Sequence, residues 1–309
     1  MTWFSIARRL ARPGVAALGL LLLAGTTSAA QLKVVTSTTD LHDIARAVGG
    51  DRITATHIGE GYEDPHYVQP KPSFILRLRD ADVWAYVGLD LEIGWMPLLL
   101  SGARNSRINA GGPGHVNVST AIPVLDANAN VDRSQGDVHP LGNPHYWLHP
   151  ENGKLIAALF RDTFSRLDPP NAATYRANHD AWVARLDAAA RDWATLLAEL
   201  KEKPVVAWHT SWRYFAAYTG LRIVGFVEPK PGVPPSASHL TSLIETMKQT
   251  GAKVIIMEPF YDKRTAEKVA RETGATVLVV PPSVGGQRGI DDYVALLRHA
   301  ITTVAAAVR

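Results

Sequence analysis

Short apolar runs alternate along this chain with stretches whose apolar residues recur every three or four positions. Leu32–Val35, Ile53–Ile58 and Val83–Val87 read as buried strands. Between them, Leu41–Val48 reads as a helix capped from the polar run Thr36-Ser37-Thr38-Thr39-Asp40, and Pro72–Arg79 as a short helix. The second half repeats the rhythm: Pro204–Ala207, Arg222–Val227, Lys253–Met257 and Thr276–Val280 read as strands, with helices at about 211–219, 236–250 and 263–273. Gly220, Gly251 and Gly274 stand where the helices between these strands need a C-cap. Strands alternating with helices predict an α/β fold with mainly parallel sheets. Residues 101–140, rich in Gly, Asn, Asp and Pro, read mostly as loop.

The longest helical pattern follows Asp168-Pro169-Pro170. It runs to about Leu200 without an internal Gly or Pro, and Tyr175, Trp182, Leu186, Trp193, Leu196 and Leu197 recur at helical spacing. About thirty helical residues span roughly 45 Å, enough to join two lobes as a stiff rod. The expected organisation is an N-terminal α/β lobe at 31–168, a linking helix at 169–202 and a C-terminal α/β lobe at 203–309. No sequence repeat or low-complexity tract interrupts it.

The first thirty residues change the picture of where such a chain works. Arg8, Arg9 and Arg12 precede an apolar stretch from Val15 to Ala24, and the small residues Gly25-Thr26-Thr27-Ser28-Ala29-Ala30 follow. That is the layout of a cleavable secretory signal peptide, 1–30, cut after Ala30. The apolar stretch is about ten residues, half of the ~20 that a bilayer span requires. The chain carries 32 basic and 29 acidic residues. The leader holds three of the arginines and no acid, so 29 of each remain without it. No clustered basic face argues for nucleic acid as a partner. There is no cysteine, hence no thiolate metal site and no lipid-attachment cysteine after the cut. A free periplasmic protein, monomeric, is the expectation.

Candidate chemistry rests on histidine. His66 lies in Glu63-Asp64-Pro65-His66-Tyr67, His145 in Gly142-Asn143-Pro144-His145-Tyr146-Trp147, and His209 in Ala207-Trp208-His209-Thr210, directly after an apolar strand. In open parallel sheets ligands bind beyond the carboxyl ends of strands, where His209 and Glu258 both sit. A proline before a histidine fixes the local backbone and pre-organises the imidazole. Three neutral imidazoles and a carboxylate suit tetrahedral zinc, whereas manganese prefers more oxygen. Taken singly, each histidine also reads as a capping or surface residue, and Glu258 also reads as a salt-bridge partner or as a group orienting a ligand from behind. Spacing alone does not choose.

The motifs Asp64-Pro65-His66 with Pro70-Lys71-Pro72-Ser73, Asn143-Pro144-His145-Tyr146-Trp147-Leu148, His209-Thr210-Ser211-Trp212-Arg213-Tyr214-Phe215 and Glu258-Pro259 occur in one order along the chain. In them, from about residue 32 to the end, the chain resembles the zinc- and manganese-binding solute receptors of bacterial ABC importers, the cluster A-I family. The resemblance implies two α/β lobes joined by one long helix with metal in the cleft between them, ligands at His66, His145 and His209, Zn2+ as the carried ion, and a membrane permease of a zinc ABC importer, driven by an ATPase, as partner. It departs from the family in two places. The family usually supplies a fourth ligand from an Asp before a Pro after the last strand, where this chain has Pro281-Pro282. Glu258 is the replacement candidate, with Glu228 and water as alternatives. The loop before the second ligand carries only His115 and His139 in place of a long His-rich acidic segment, so a scavenging role for that loop is reduced. His149 stands where the family usually has Asp and reads as a residue behind the ligands or at the surface. His179 and His299 read as helix residues, and His42, His57 and His239 lack a convergent neighbour.

The leading expectation is a periplasmic high-affinity zinc-binding protein without catalysis. Its affinity should fall as pH drops through about 6.5, because ligand imidazoles must be deprotonated. The alternatives are a receptor for manganese or another divalent ion, and a zinc hydrolase that uses an open fourth position to activate water. No His-Glu-x-x-His pair and no second general base supports the hydrolase.

Overall fold

The computed structural model describes residues 1–3, 31–128, 130, 135–136 and 138–309. The leader and its cleavage site fall on 4–30, outside the described residues. Gln31–Arg309 forms one compact unit. It contains two four-stranded sheets, both parallel throughout. The first takes β1 (Leu32–Thr36), β2 (Ile53–His57), β3 (Val83–Tyr86) and β4 (His115–Asn117) in the order β2-β1-β3-β4. The second takes β5 (Pro204–Ala207), β6 (Arg222–Phe226), β7 (Val254–Met257) and β8 (Thr276–Val279) in the order β6-β5-β7-β8. The α/β reading therefore holds, and seven of the eight strands coincide with the apolar runs.

Ten α-helices are described: α1 (Thr39–Gly49), α2 (Pro72–Arg79), α3 (Met96–Ala103), α4 (Pro150–Leu167), α5 (Ala172–Asp192), α6 (Ala194–Leu200), α7 (Arg213–Thr219), α8 (Ala237–Thr250), α9 (Arg264–Thr273) and α10 (Tyr293–Val308). Thr38 caps α1 by accepting from Leu41 N, as the polar run after the first strand implied. The expected single rod over 169–202 is instead a 3-10 turn at Pro169–Asn171 followed by α5 and α6, joined at Trp193. Helical hydrogen bonds continue through the joint, from Trp193 N to Ala189 O at 3.1 Å and from Leu197 N to Trp193 O at 2.9 Å. One buried residue, with its ring in the core, interrupts the regular geometry. The segment read as loop contains β4 and a 3-10 turn at Val118–Ala121. Among the described residues no helix is long and apolar enough to cross a membrane.

Side chains alternate across each strand and so divide the core. In the second sheet, Val205, Ala207, Val254 and Ile256 face one cluster, while Val206, Ile255 and Met257 face another that is closed by α8 and α9. In the first sheet, Val34, Val83 and Ala85 join the same large cluster, and Val35 and Trp84 pack under α2 and α3. That large cluster is continuous from one sheet to the other through Phe160 and Phe164 of α4, Leu186 of α5, Leu200 of α6 and Leu297 and Ile301 of α10. The two sheets thus share one apolar spine.

Candidate metal centre

His66, His145 and His209 are far apart in sequence, and the fold brings them together. Their ring centroids lie 5.4 Å (His66 to His145), 5.5 Å (His66 to His209) and 5.1 Å (His145 to His209) apart. One ligand atom from each lies within 4.8 Å of the others. A tetrahedral zinc site with bonds of 2.0–2.1 Å has edges of about 3.3 Å, so closing on an ion needs shifts of no more than about 1.5 Å.

Each ring is held in one tautomer by a local device. Asp64 and Asn143 each stand two residues before a histidine, across a proline. Asp64 Oδ1 accepts from His66 N at 3.0 Å and faces His66 Nδ1 at 2.6 Å. Asn143 Oδ1 accepts from His145 N at 2.9 Å and faces His145 Nδ1 at 2.9 Å. The Asx-Pro-His sequence is therefore a built turn in which one side-chain oxygen fixes both the backbone and the imidazole. His209 follows β5, where Glu228, just beyond β6, places Oε2 2.6 Å from its Nδ1. With every Nδ1 engaged from behind, the Nε2 edge of each ring is the one that a metal would take on deprotonation.

The turns are anchored from behind. Trp95 Nε1 donates to Pro65 O at 3.0 Å, and Asn143 Nδ2 donates to Thr210 O at 2.9 Å, tying the second histidine's loop to the third histidine's strand. Tyr214 Oη donates to Asn143 O at 3.1 Å. Burial works against the charge of Asp64, but the hydrogen bonds and charge of His66 overcome it and hold the carboxyl below its ordinary value. His145 is pushed well below the ordinary imidazole value, first by burial and then by His209, His66 and His139 around it. Its ring therefore stays neutral, the form that ligates metal. An open cavity of about 600 Å³ reaches the site, lined by Asp64, His66, His209, Glu228 and Tyr261.

Glu258 directly follows β7 and is fully buried, but it is not among the atoms that converge within 4.8 Å. Its Oε1 accepts from Ser211 Oγ at 2.6 Å, and burial pushes the carboxyl up to about 7. Glu228, the other carboxylate considered, is committed to His209 and to Gly232 N at 2.9 Å. His149 caps α4, its Nδ1 accepting from Glu151 N at 3.2 Å. His115 is a sheet residue, its Nδ1 2.8 Å from Ile108 O and its Nε2 3.0 Å from Tyr86 Oη. His139 differs from both. Its Nε2 lies 3.1 Å from His66 Nε2, a placement that sequence reasoning missed because the residue sits in a loop of mixed composition.

Residues 34–307 match the ZnuA family, described as the periplasmic component A of a zinc-uptake complex. This chain belongs to that family. Among curated ZnuA relatives, the high-affinity zinc uptake system protein ZnuA of Brucella abortus is 32% identical over 157 residues, which is 50% of this chain and 47% of that protein. The zinc-binding protein AdcA of Streptococcus pyogenes serotype M6 is 24% identical over 289 residues, 89% of this chain and 55% of that one. The chain thus spans about half the length of the curated relatives it matches. A crystal structure of a ZnuA deletion mutant with zinc bound is 25% identical, covers 90% of this chain and 98% of its own, and superposes with a TM-score of 0.74.

Proposed function

We propose that this chain is a periplasmic zinc receptor that captures Zn2+ as cargo and hands it to the permease of an ABC importer, without catalysis. The observation that carries the reading is the convergence of one ligand atom each from His66, His145 and His209, with every Nδ1 engaged by an oxygen from behind, beside an open cavity. Membership of the zinc-uptake family supports it. In this reading residues 1–30 are removed on export, and the mature chain is a monomer of two lobes, 31–168 and 203–309, bridged by the helices of 169–202. Neutral nitrogen donors favour zinc over manganese.

Competition calorimetry of the mature chain should give tighter binding for zinc than for manganese, and tighter manganese binding would refute the choice of ion. His209→Ala should weaken zinc affinity at least tenfold, roughly 1.4 kcal/mol. Normal zinc binding by that variant would remove the site. Turnover of ester or peptide substrates with zinc present would revive the hydrolase reading.

A further inference from the structure

The fourth position of the metal site follows from the environment of His139. This residue is 9% exposed, and its Nδ1 lies 2.8 Å from Leu89 O. A carbonyl only accepts, so Nδ1 is the donor and Nε2 is the edge of the ring turned toward the site. His66 likewise commits its Nδ1, to Asp64 Oδ1 at 2.6 Å. The two Nε2 atoms face each other at 3.1 Å. The spacing is close to the ~3.3 Å edge of a tetrahedron of nitrogens around zinc.

The position of His139 is built into the fold. His139 precedes Pro140, which restricts it to extended backbone. Gly142 N donates to His139 O at 3.0 Å, and Asn128 N donates to Pro140 O at 3.0 Å. The carbonyl that receives its Nδ1 belongs to an unusual segment: Gly88, Leu89 and Asp90 have φ of 82°, 54° and 65°. Two successive non-glycine residues in the left-handed region are costly, of order 1 kcal/mol or more each. The buried Glu92 holds the segment, accepting from Val87 N at 2.7 Å and Gly88 N at 3.0 Å.

We propose that His139 is the fourth ligand of the metal bound by His66, His145 and His209. The proposal rests on the zinc-receptor reading and replaces Glu258, whose carboxyl is engaged by Ser211; His139, like Glu258, lies outside the three atoms within 4.8 Å of one another, but its Nε2 is 3.1 Å from His66 Nε2. It also settles the charge. Four neutral imidazoles bring no anion into contact with the ion, and the carboxylates of Asp64 and Glu228, behind His66 and His209, supply two negative charges against the two positive charges of Zn2+.

X-ray absorption at the zinc edge on the wild-type mature chain, loaded with one equivalent of zinc, counts imidazoles directly. Four imidazole shells support the proposal, whereas three imidazoles with an oxygen donor overturn it. His139→Ala and, as a polar substitute, His139→Gln should each lose one imidazole shell and bind zinc at least tenfold more weakly in chelator competition. If either folded variant keeps the wild-type spectrum and affinity, His139 is no ligand. Failure of the wild type to bind zinc at all, or wild-type affinity in His209→Ala, would instead bring down the receptor reading itself.

Discussion

At the scale of single residues, the site depends on what stands behind each imidazole. The Asx-Pro-His turn occurs twice, and in both copies one Oδ1 serves the backbone and the ring. The pattern was visible in the sequence, because Asp64 and Asn143 each lie two residues before a candidate ligand. The orienting role of Glu228 was not visible. It depends on β6 lying beside β5, so that the residues after the two strands meet, and spacing along the chain does not encode which strands are neighbours. Groups that orient a ligand are commonly worth ten- to a hundredfold in metal affinity. Asp64→Ala and Glu228→Ala should each weaken zinc binding by that factor while His66, His145 and His209 remain. Calorimetry on the two variants checks this, and unchanged affinity would mean that the rings hold their tautomers without help. The position of His139 was hidden for the same reason as that of Glu228: nothing local links Val138-His139-Pro140 to a left-handed segment fifty residues earlier.

At the scale of elements, the apolar runs found β1, β2, β3 and all four strands of the second sheet, because buried parallel strands are continuously apolar. They missed β4, which has only three residues and alternates polar with apolar. They also assigned nothing to α3 or α4. Pro97 and Gly102 punctuate the first of these and Pro150 and Gly153 the second, yet both prolines sit in a first turn, where no donor is lost. Gly153 is a packing device, since a Cβ there would meet the Tyr293 ring of α10 at 2.6–2.8 Å. Gly153→Val should therefore destabilise the fold by about 1–3 kcal/mol in denaturant unfolding, and wild-type stability would show that the α4–α10 contact can relax. The start of α1 offers a pH test. Asp40 Oδ1 accepts from Val284 N at 3.0 Å, joining α1 to the loop after β8, and burial raises its carboxyl to about 7. A carboxyl whose folded value lies above its unfolded value binds its proton more tightly in the native state. Stability is then greatest below about pH 4 for this group and declines as pH rises from about 4 to 7. Asp40→Asn should remove most of that decline, gaining about 2–4 kcal/mol relative to the wild type between pH 4 and pH 8. Parallel stability-versus-pH curves for the two proteins would contradict it.

For the whole molecule, two repeats of the α/β rhythm with a long helical pattern between them imply a rod joining two separate lobes. The helix is indeed there as α5 and α6, but the connection is broader than a rod. The C-terminal helix α10 packs against α6, α5 and α1, so the chain's end returns to the first sheet's side, and the cluster that includes Leu186, Leu200 and Leu297 runs unbroken between the sheets. Only a pattern in three dimensions reveals that return, since α10 reads on its own as one more amphipathic helix. A shared core matters for how the receptor would work. Opening the sheets apart as rigid lobes would expose part of this cluster to water at roughly 25 cal/mol per Å² of apolar surface, so a wide hinge is opposed over its whole length. The rings of His66, His145 and His209 are already within reach of a shared ion by side-chain shifts of at most about 1.5 Å. Capture should therefore need side-chain shifts alone, and the backbone frame should stay as it is. Small-angle scattering of residues 31–309, metal-free and zinc-loaded, should give the same radius of gyration within the scatter of the measurement, while amide exchange slows around residues 138–145. A clear compaction on loading would show that the shared spine yields, and that the two sheets move as separate bodies after all.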